Sequence, residues 1–277
     1  MTRGCGNDMK EKWSGLSRQN KFVAVLVSVV FIFALAFSIV LSKNKDNIIS
    51  RIQTLGLLRK QEAIEKTQRK NSYSADMAGE VRLKFRPLLS INNEFVGWLR
   101  IADSGVDYPV VRGEDYRKYA EKSFYGDENK NGTLALDQHC ALGLGEKDNY
   151  VKKPGMNQII YGNNRESAFM FGCLQEYQYE KYGLGHDRIT LETLYEKREY
   201  KLLSVFFDET DPRDMDAFHF ENYCFAKSEE EFLDFYKNIM ERSLYKTGAS
   251  GKYGDEFITL TTPYKNGKVA VIAVRIL

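Results

Sequence analysis

The longest apolar run in the chain lies near its N-terminus. It extends from Phe22 to Leu41 and reads FVAVLVSVVFIFALAFSIVL, without a charged residue. A helix needs about 20 apolar residues to cross the hydrocarbon core of a bilayer, and this run has that length. The pattern therefore predicts one transmembrane helix over residues 22–41, preceded by a short cytoplasmic head over residues 1–21.

Basic residues flank the run on both sides in nearly equal number, so the positive-inside comparison hardly decides its orientation. The short head favours a cytoplasmic N-terminus with the large domain outside the cell. Cleavage as a signal peptide is the alternative, because Ala34, Leu35 and Ala36 have the small-x-small form that signal peptidase accepts. The apolar run continues beyond them to a full spanning length, which favours a single-pass anchor in the cell membrane.

A polar, charged segment follows over residues 42–91. Its apolar residues Ile48, Ile52, Leu55 and Leu58 recur at helical spacing. This spacing predicts a helical stalk or linker between the membrane and the domain.

From Asn92 onward the pattern changes to short runs of β-branched and aromatic residues, broken by Gly, Asn and Asp. A helix interrupts these runs, and it starts with a capping box formed by Ser228 and Glu231. The pattern predicts a mainly β domain over residues 92–277, an eight-stranded barrel with peripheral helices. The candidate strands are Val96–Ile101, Val106–Val111, Gly132–Asp137, Gln158–Tyr161, Arg188–Thr193, Tyr200–Phe207, Phe257–Thr262 and Lys268–Leu277.

Composition excludes several classes of function. The chain has 40 basic and 38 acidic residues and no long basic block, so nucleic acid is not an expected partner. The cysteines and histidines are scattered, without CxxC spacing, which argues against a zinc site or a redox pair. We expect the cysteines to be core residues or unused thiols, and no metal or cofactor is implied.

Four segments resemble the class B sortases, and together they cover about 180 residues in the family's order and spacing. That family consists of membrane-anchored cysteine transpeptidases of Gram-positive bacteria, which attach surface proteins to the cell wall and are built on an eight-stranded barrel. The resemblance therefore implies the same barrel, and a sorting-signal peptide or surface protein as partner. The segments are Asn92 to Asp137, QIIYGNN with the downstream MFGCLQEY, HDRITLET, and FITLTTP.

The resemblance also locates the family's catalytic positions, and this chain departs from the pattern at each one. Asn163 stands where the family has its histidine, and an amide does not exchange protons near neutral pH. Pro263 stands in place of the nucleophilic cysteine and has no nucleophilic atom. Lys268 is the expected match to the arginine, with Arg275 as the other candidate. We therefore expect no catalytic residues of the family type.

The segment after Pro263 predicts an ordinary turn. Asn266 and Gly267 form the dipeptide that favours a tight type I′ hairpin, so the loop that should carry the family's active site is short.

Three functions remain open. The first is a non-catalytic protein that binds a peptide or protein partner through Tyr161, Asn163, Thr261, Thr262 and Lys268. The second is an active transpeptidase with a rearranged site that uses Cys140 or Cys173, and the third is a structural or assembly module. Cys140 adjoins His139, but neighbouring side chains on an extended segment point to opposite faces, which argues against that pair. The sequence leaves the oligomeric state open.

Overall fold

The computed structural model describes residues 17–70, with the backbone alone at 68–70, and residues 80–143, 155–164, 169–211, 213–214 and 217–277. The chain divides into two compact units, residues 1–48 and 49–277. In the first unit, helix α1 (Arg18–Lys43) begins at Ser17, whose hydroxyl accepts a hydrogen bond from the backbone N–H of Asn20. The helix is long and apolar enough to cross a membrane, and none of its residues is buried. A 26-residue helix is about 39 Å long, which exceeds the thickness of a bilayer core.

Helix α2 (Lys45–Lys70) starts in the first unit and continues into the second. The other helices of the second unit are α3 (Arg86–Ile91), α4 (Glu180–Gly185) and α5 (Glu229–Glu241). Short 3-10 helices lie at Leu83–Phe85, Tyr116–Tyr119, Gly172–Gln178 and Phe220–Tyr223. The strands are β1 (Phe95–Ile101), β2 (Val106–Val111), β3 (Leu134–Leu136), β4 (Asn157–Tyr161), β5 (Arg188–Thr193), β6 (Lys197–Asp208), β7 (Phe257–Tyr264) and β8 (Gly267–Arg275).

The strands form a closed barrel in the order β1-β2-β3-β4-β7-β8-β6-β5, with β5 pairing back onto β1. The pairs β2–β3 and β4–β7 are parallel, and the others are antiparallel. This confirms the predicted eight-stranded barrel, with each candidate strand found within a few residues of its expected bounds. In β3 only Leu134–Leu136 pair as a strand, because the backbone of Gly132 and Thr133 bonds to Asn129 and Tyr119 instead.

The larger apolar core is formed by barrel strands together with one face of α5. At the start of α5 Ser228 caps the helix as predicted, because its hydroxyl accepts a hydrogen bond from the backbone N–H of Glu231. The Glu231 carboxylate accepts from the backbone N–H of Lys227 rather than from that of Ser228, so only one half of the predicted capping box is formed. Phe232, Phe235 and Ile239 then follow at helical spacing and are buried against the strands. Burying their side chains favours the folded state by roughly 2 kcal/mol each.

A smaller core lies on the outside of β1. Leu57 of α2 is buried there with Phe85, Leu88 and Trp98. The portion of α2 that follows Ile49 therefore belongs to the same compact unit as the barrel. The division into a stalk over 42–91 and a barrel from 92 stays a prediction.

Candidate functional site

The residues singled out in the sequence meet at one end of the barrel, where β4 and β7 end and β8 begins. They surround a cavity of about 290 Å³, here called the end cavity. It is lined by Tyr116, Ala120, Thr133, Ala135, Tyr161, Gly162, Asn163, Glu221, Thr261, Thr262, Pro263, Gly267 and Lys268. The parallel pairing of β4 with β7 explains the convergence, because it sets Tyr161 beside Thr261 and carries the two strand ends to the same place.

Tyr161 is the last residue of β4, and its side chain is fixed on two sides. Its hydroxyl donates a hydrogen bond to Oδ2 of Asp137 at 3.1 Å. Its ring stacks on that of Tyr116, with centroids 3.7 Å apart and planes 11° from parallel. Burial raises the pKa of the phenol well above its ordinary value, and the charges of Asp137 and Glu221 raise it further. Tyr161 therefore stays neutral and acts as a hydrogen-bond donor to Asp137.

Asn163 ties the segment after β4 to the opposite wall of the cavity. Its amide Nδ2 donates to the backbone carbonyl of Ala120 at 2.5 Å and to that of Lys130 at 3.1 Å. Both N–H bonds of the amide are thereby used, and its Oδ1 is left as an acceptor. The adjacent Gly162 lies so close to Leu134 and Phe171 that a Cβ would come within 2.6 Å of each, so the chain needs glycine there.

The hairpin between β7 and β8 is as tight as predicted, but its centre differs from the prediction. Tyr264 pairs with Gly267, so Lys265 and Asn266 form the two-residue turn rather than Asn266 and Gly267. Lys265 has a φ of +50°, whereas a type I′ turn requires a positive φ at both central residues, and neither Asn266 nor Gly267 has one. Gly267 is instead required by packing, since a Cβ would stand 2.2 Å from the carbonyl oxygen of Asp208.

Pro263 faces Lys268 across the hairpin, at the mouth of the cavity, and the two preceding residues of β7 are threonines. Thr261 and Thr262 are both about 1% exposed. Within the described part of the chain, neither hydroxyl has a hydrogen-bond partner. A buried hydroxyl without a partner costs free energy of about 1–3 kcal/mol.

Lys268 lies at the cavity in ionic contact with two carboxylates. Its Nζ contacts Oε1 of Glu221, and it lies 3.4 Å from Oδ2 of Asp208. The ammonium also sits 4.8 Å from the centroid of the Phe220 ring. Arg275, the other candidate for the family's arginine, lies at the opposite end of β8, where it contacts Glu256 and Glu196. Lys268 is thus the basic residue of β8 that reaches the end cavity.

The cysteines and most of the supporting carboxylates were not predicted in their observed roles. Cys140, Cys173 and Cys224 are buried in the core, as expected, but the sequence did not predict that the Sγ atoms of Cys140 and Cys224 lie 2.7 Å apart. His139 turns away from Cys140 and contacts Asp137. Asp137 directly follows β3 and Asp208 is the last residue of β6, and these positions at strand ends are the signal by which their roles at the site could have been recognised.

A second cavity, of about 620 Å³, lies on another side of the barrel and is larger than the end cavity. Its lining includes Glu94, Arg112, Gln138 and Tyr195, and it reaches Gly143, where the described chain breaks off. None of the residues predicted to carry the function lines it. The end cavity is therefore the better candidate site, although it is smaller.

Known proteins share this fold, although no family model matches the chain. A crystal structure from Bacillus anthracis, described as similar to sortase B, is 30% identical, has a TM-score of 0.61, and overlaps 73% of this chain and 86% of its own. A Staphylococcus aureus sortase B–substrate complex is 19% identical with a TM-score of 0.68, covering 83% of this chain and 98% of that one. Sortase B of Listeria monocytogenes is 25% identical over 207 residues, which span 73% of this chain and 78% of the relative.

Proposed function

Because this chain belongs to the sortase B family, we propose that it is a membrane-anchored member that binds a sorting-signal peptide or a surface protein without catalysing transpeptidation. The observation that carries the proposal is the lining of the end cavity, which combines buried, unpaired hydroxyls with side chains unable to perform acyl transfer.

The case against catalysis rests on the chemistry of the lining. Acyl transfer through a covalent intermediate needs a nucleophile and a group that moves its proton. None of the described residues around the end cavity is a cysteine or a histidine. Pro263 offers no nucleophile, and Asn163 already spends both N–H bonds on backbone carbonyls. Cys140 and Cys173, the thiols considered as substitutes, are buried and line other parts of the fold.

The case for binding rests on the groups that remain available. The hydroxyls of Thr261 and Thr262 are buried and unpaired, and a ligand that opens the wall of the end cavity would find in each a group that can donate and accept a hydrogen bond. Asn163 Oδ1 and the ring of Tyr161 add an acceptor and an apolar surface. A carboxylate on the ligand would have to compete with Glu221 and Asp208 for Lys268. Lys268 therefore contributes more by holding these two carboxylates in place than by binding the ligand directly.

Helix α1 supports the proposed location. Among the described residues, one apolar helix of spanning length supports an anchor in the cell membrane, and the short N-terminal head favours placing the barrel outside. In that position the end cavity would meet peptides of other surface proteins. The Staphylococcus aureus relative has been solved as a complex with its substrate, which supports a peptide as the ligand here.

The test is a binding measurement on the full-length chain in detergent micelles with a fluorescent synthetic sorting-signal peptide. We expect reversible binding with no change in the intact mass of the protein. Thr261→Val and Thr262→Val keep the side-chain shape but remove a hydroxyl, so each should weaken binding about 5- to 10-fold. Thr190→Val on β5 is the matched control, since Thr190 does not line the end cavity, and it should leave the affinity unchanged.

Two results would count against the proposal. Absence of binding, or equal affinity for all three valine variants and the unmodified chain, would remove the end cavity as the binding site. A covalent peptide adduct on the unmodified chain would establish an active enzyme, and mapping the adduct to Cys140 or Cys173 would identify its nucleophile.

A further inference from the structure

Two cysteines that are distant in the sequence meet near the start of β4, next to the carboxylate of Asp137. Cys140 follows β3, and Cys224 follows the 3-10 helix Phe220–Tyr223, 84 positions further along the chain. Both are buried, with exposures of 0% and 4%. Their Sγ atoms are 2.7 Å apart.

Hydrogen bonds to the start of β4 hold both residues in place. The Cys140 thiol donates to the carbonyl of Asn157 at 3.2 Å, and its sulfur accepts from the backbone N–H of Ile159 at 3.3 Å. The carbonyl of Cys224 accepts from the backbone N–H of Asn157 at 3.2 Å. The two sulfur atoms therefore face each other because a single strand positions both segments.

We propose that Cys140 and Cys224 form an intramolecular disulfide in the mature protein. The bonded S–S distance is about 2.05 Å, so the sulfur atoms need to approach by only about 0.7 Å.

A metal site is the competing use of these two thiols, since a carboxylate oxygen of Asp137 also lies within 4.8 Å of them. Zinc thiolates at about 2.3 Å in a tetrahedral site stand roughly 3.8 Å apart, about 1 Å further than the observed separation. Asp137 is also engaged already, because its two oxygens contact Tyr161 and His139. The geometry thus favours the disulfide.

The oxidant is a disulfide of an external dithiol protein or of a small thiol compound. The Cys224 thiolate, the less buried of the two, attacks that disulfide and forms a mixed disulfide, releasing one thiol of the oxidant. The Cys140 thiolate then attacks the Cys224 sulfur and releases the second thiol. Two protons and two electrons leave the protein, and the oxidant's disulfide is reduced to two thiols. Burial raises the pKa of the Cys140 thiol, and Cys224 raises it further, so Cys140 suits the second step.

The bond would connect the two segments that support the end cavity. Asp137, which holds Tyr161, lies three residues before Cys140, and Glu221, which holds Lys268, lies three residues before Cys224. A covalent bond between these segments would fix both carboxylates relative to β4. It is also expected to raise stability by restricting the unfolded chain, as disulfides outside the cytoplasm commonly do.

The test uses the full-length chain, extracted from membranes without reductant and unfolded in the presence of iodoacetamide. We expect mass spectrometry to find Cys140 and Cys224 unalkylated and joined in one cross-linked peptide, 2 Da lighter than the two thiol peptides together. Reduction before alkylation should label both. Cys173, also buried but without a cysteine partner among the described residues, is the internal control and should be alkylated in both samples.

Thermal unfolding gives a second readout. Reductant should lower the Tm of the unmodified chain and of Cys173→Ser by about 10 °C, and should leave that of the Cys140→Ser/Cys224→Ser double variant unchanged. The proposal is overturned if both thiols stay free after incubation with oxidised glutathione, or if either one pairs with another cysteine. Zinc bound stoichiometrically by the unmodified chain and lost in the double variant would overturn it too. The peptide mapping needs no variant, so a misfolded variant would not obscure the result.

Discussion

Asn163 illustrates how one side chain can hold the end cavity together. Both N–H bonds of its amide end on carbonyls of the segment between β2 and β3, which makes the residue a bridge across the cavity. An aspartate has the same shape but only acceptor atoms, so it would set negative charge against two carbonyl oxygens. We predict that Asn163→Asp lowers the free energy of unfolding by about 2 kcal/mol, measured by urea denaturation of the full-length chain in micelles.

Asn164→Asp is the matched control for that measurement. The amide of Asn164 makes one long contact, 3.4 Å to the carbonyl of Pro263, and should lose far less on the same substitution. Equal losses for the two variants would mean that the bonds of Asn163 do not stabilise the fold, and that the residue is free to contact a ligand.

The chemical character of single residues could be predicted, but their partners could not. The absence of a nucleophile at Pro263 and of an imidazole at Asn163 follows from side-chain chemistry once the motifs are aligned. The partners of Asn163 lie 43 and 33 positions away, and Glu221 lies 47 positions from Lys268. No local pattern encodes such contacts, because they depend on how the barrel closes.

At the scale of elements, an ion cluster joins the segment before the barrel to β5. Glu192 contacts Arg82 at 2.6 Å and Lys84 at 2.5 Å, and Lys84 also reaches Glu65 of α2. Burial alone would raise the pKa of Glu192, but the hydrogen bonds and charges of Lys84 and Arg82 outweigh it and lower the pKa below its ordinary value. The cluster therefore stabilises the fold while Glu192 is ionised.

The sign of the pH dependence follows from that lowered pKa. The stabilisation is complete above the unfolded pKa of about 4.3 and is lost as the pH falls through the lower, folded value. We predict that Glu192→Gln lowers the free energy of unfolding by about 2 kcal/mol at pH 7. The difference in free energy of unfolding between the variant and the unmodified chain should disappear as the pH falls below about 4. Denaturant titrations at a series of pH values measure this difference, and Glu114→Gln is the control because Glu114 is exposed. A gap that stays constant down to pH 3 would contradict the assignment.

Elements could be predicted from periodicity, whereas turns and close contacts could not. The short β-branched and aromatic runs broken by Gly, Asn and Asp were sufficient for the strands, and the N-cap at Ser228 with the helical spacing after it was sufficient for α5. The β7–β8 hairpin shows the limit of local signals. Asn266 and Gly267 have the composition of a turn centre, yet Gly267 is required because β8 passes the backbone of Asp208. The meeting of Cys140 with Cys224 was missed for the same reason, since it arises between segments that contact only in the folded barrel.

At the scale of the whole molecule, the two compact units differ in the solvent they suit. The barrel unit buries most of its large apolar side chains in two cores, whereas helix α1 exposes apolar side chains on every face. In water such a helix would leave an extensive apolar surface exposed, and a bilayer removes that cost. The apolar composition of helix α1 is thus the reason for proposing that the barrel unit is held at a membrane.

The anchor leads to a prediction about cell fractionation. We expect the chain to remain in the membrane after an alkaline carbonate wash and to retain its N-terminal residues, while protease added to intact protoplasts digests the barrel unit. A variant carrying Phe31→Lys and Ala34→Lys places two charges in the middle of the apolar run, at about 3 kcal/mol each, and should fail to insert. Phe31→Leu with Ala34→Leu is the control that keeps the run apolar. A mature chain that begins just after Ala36 and is released by the wash would instead identify the run as a cleaved signal peptide, because removing those residues leaves too short an apolar stretch to span a bilayer.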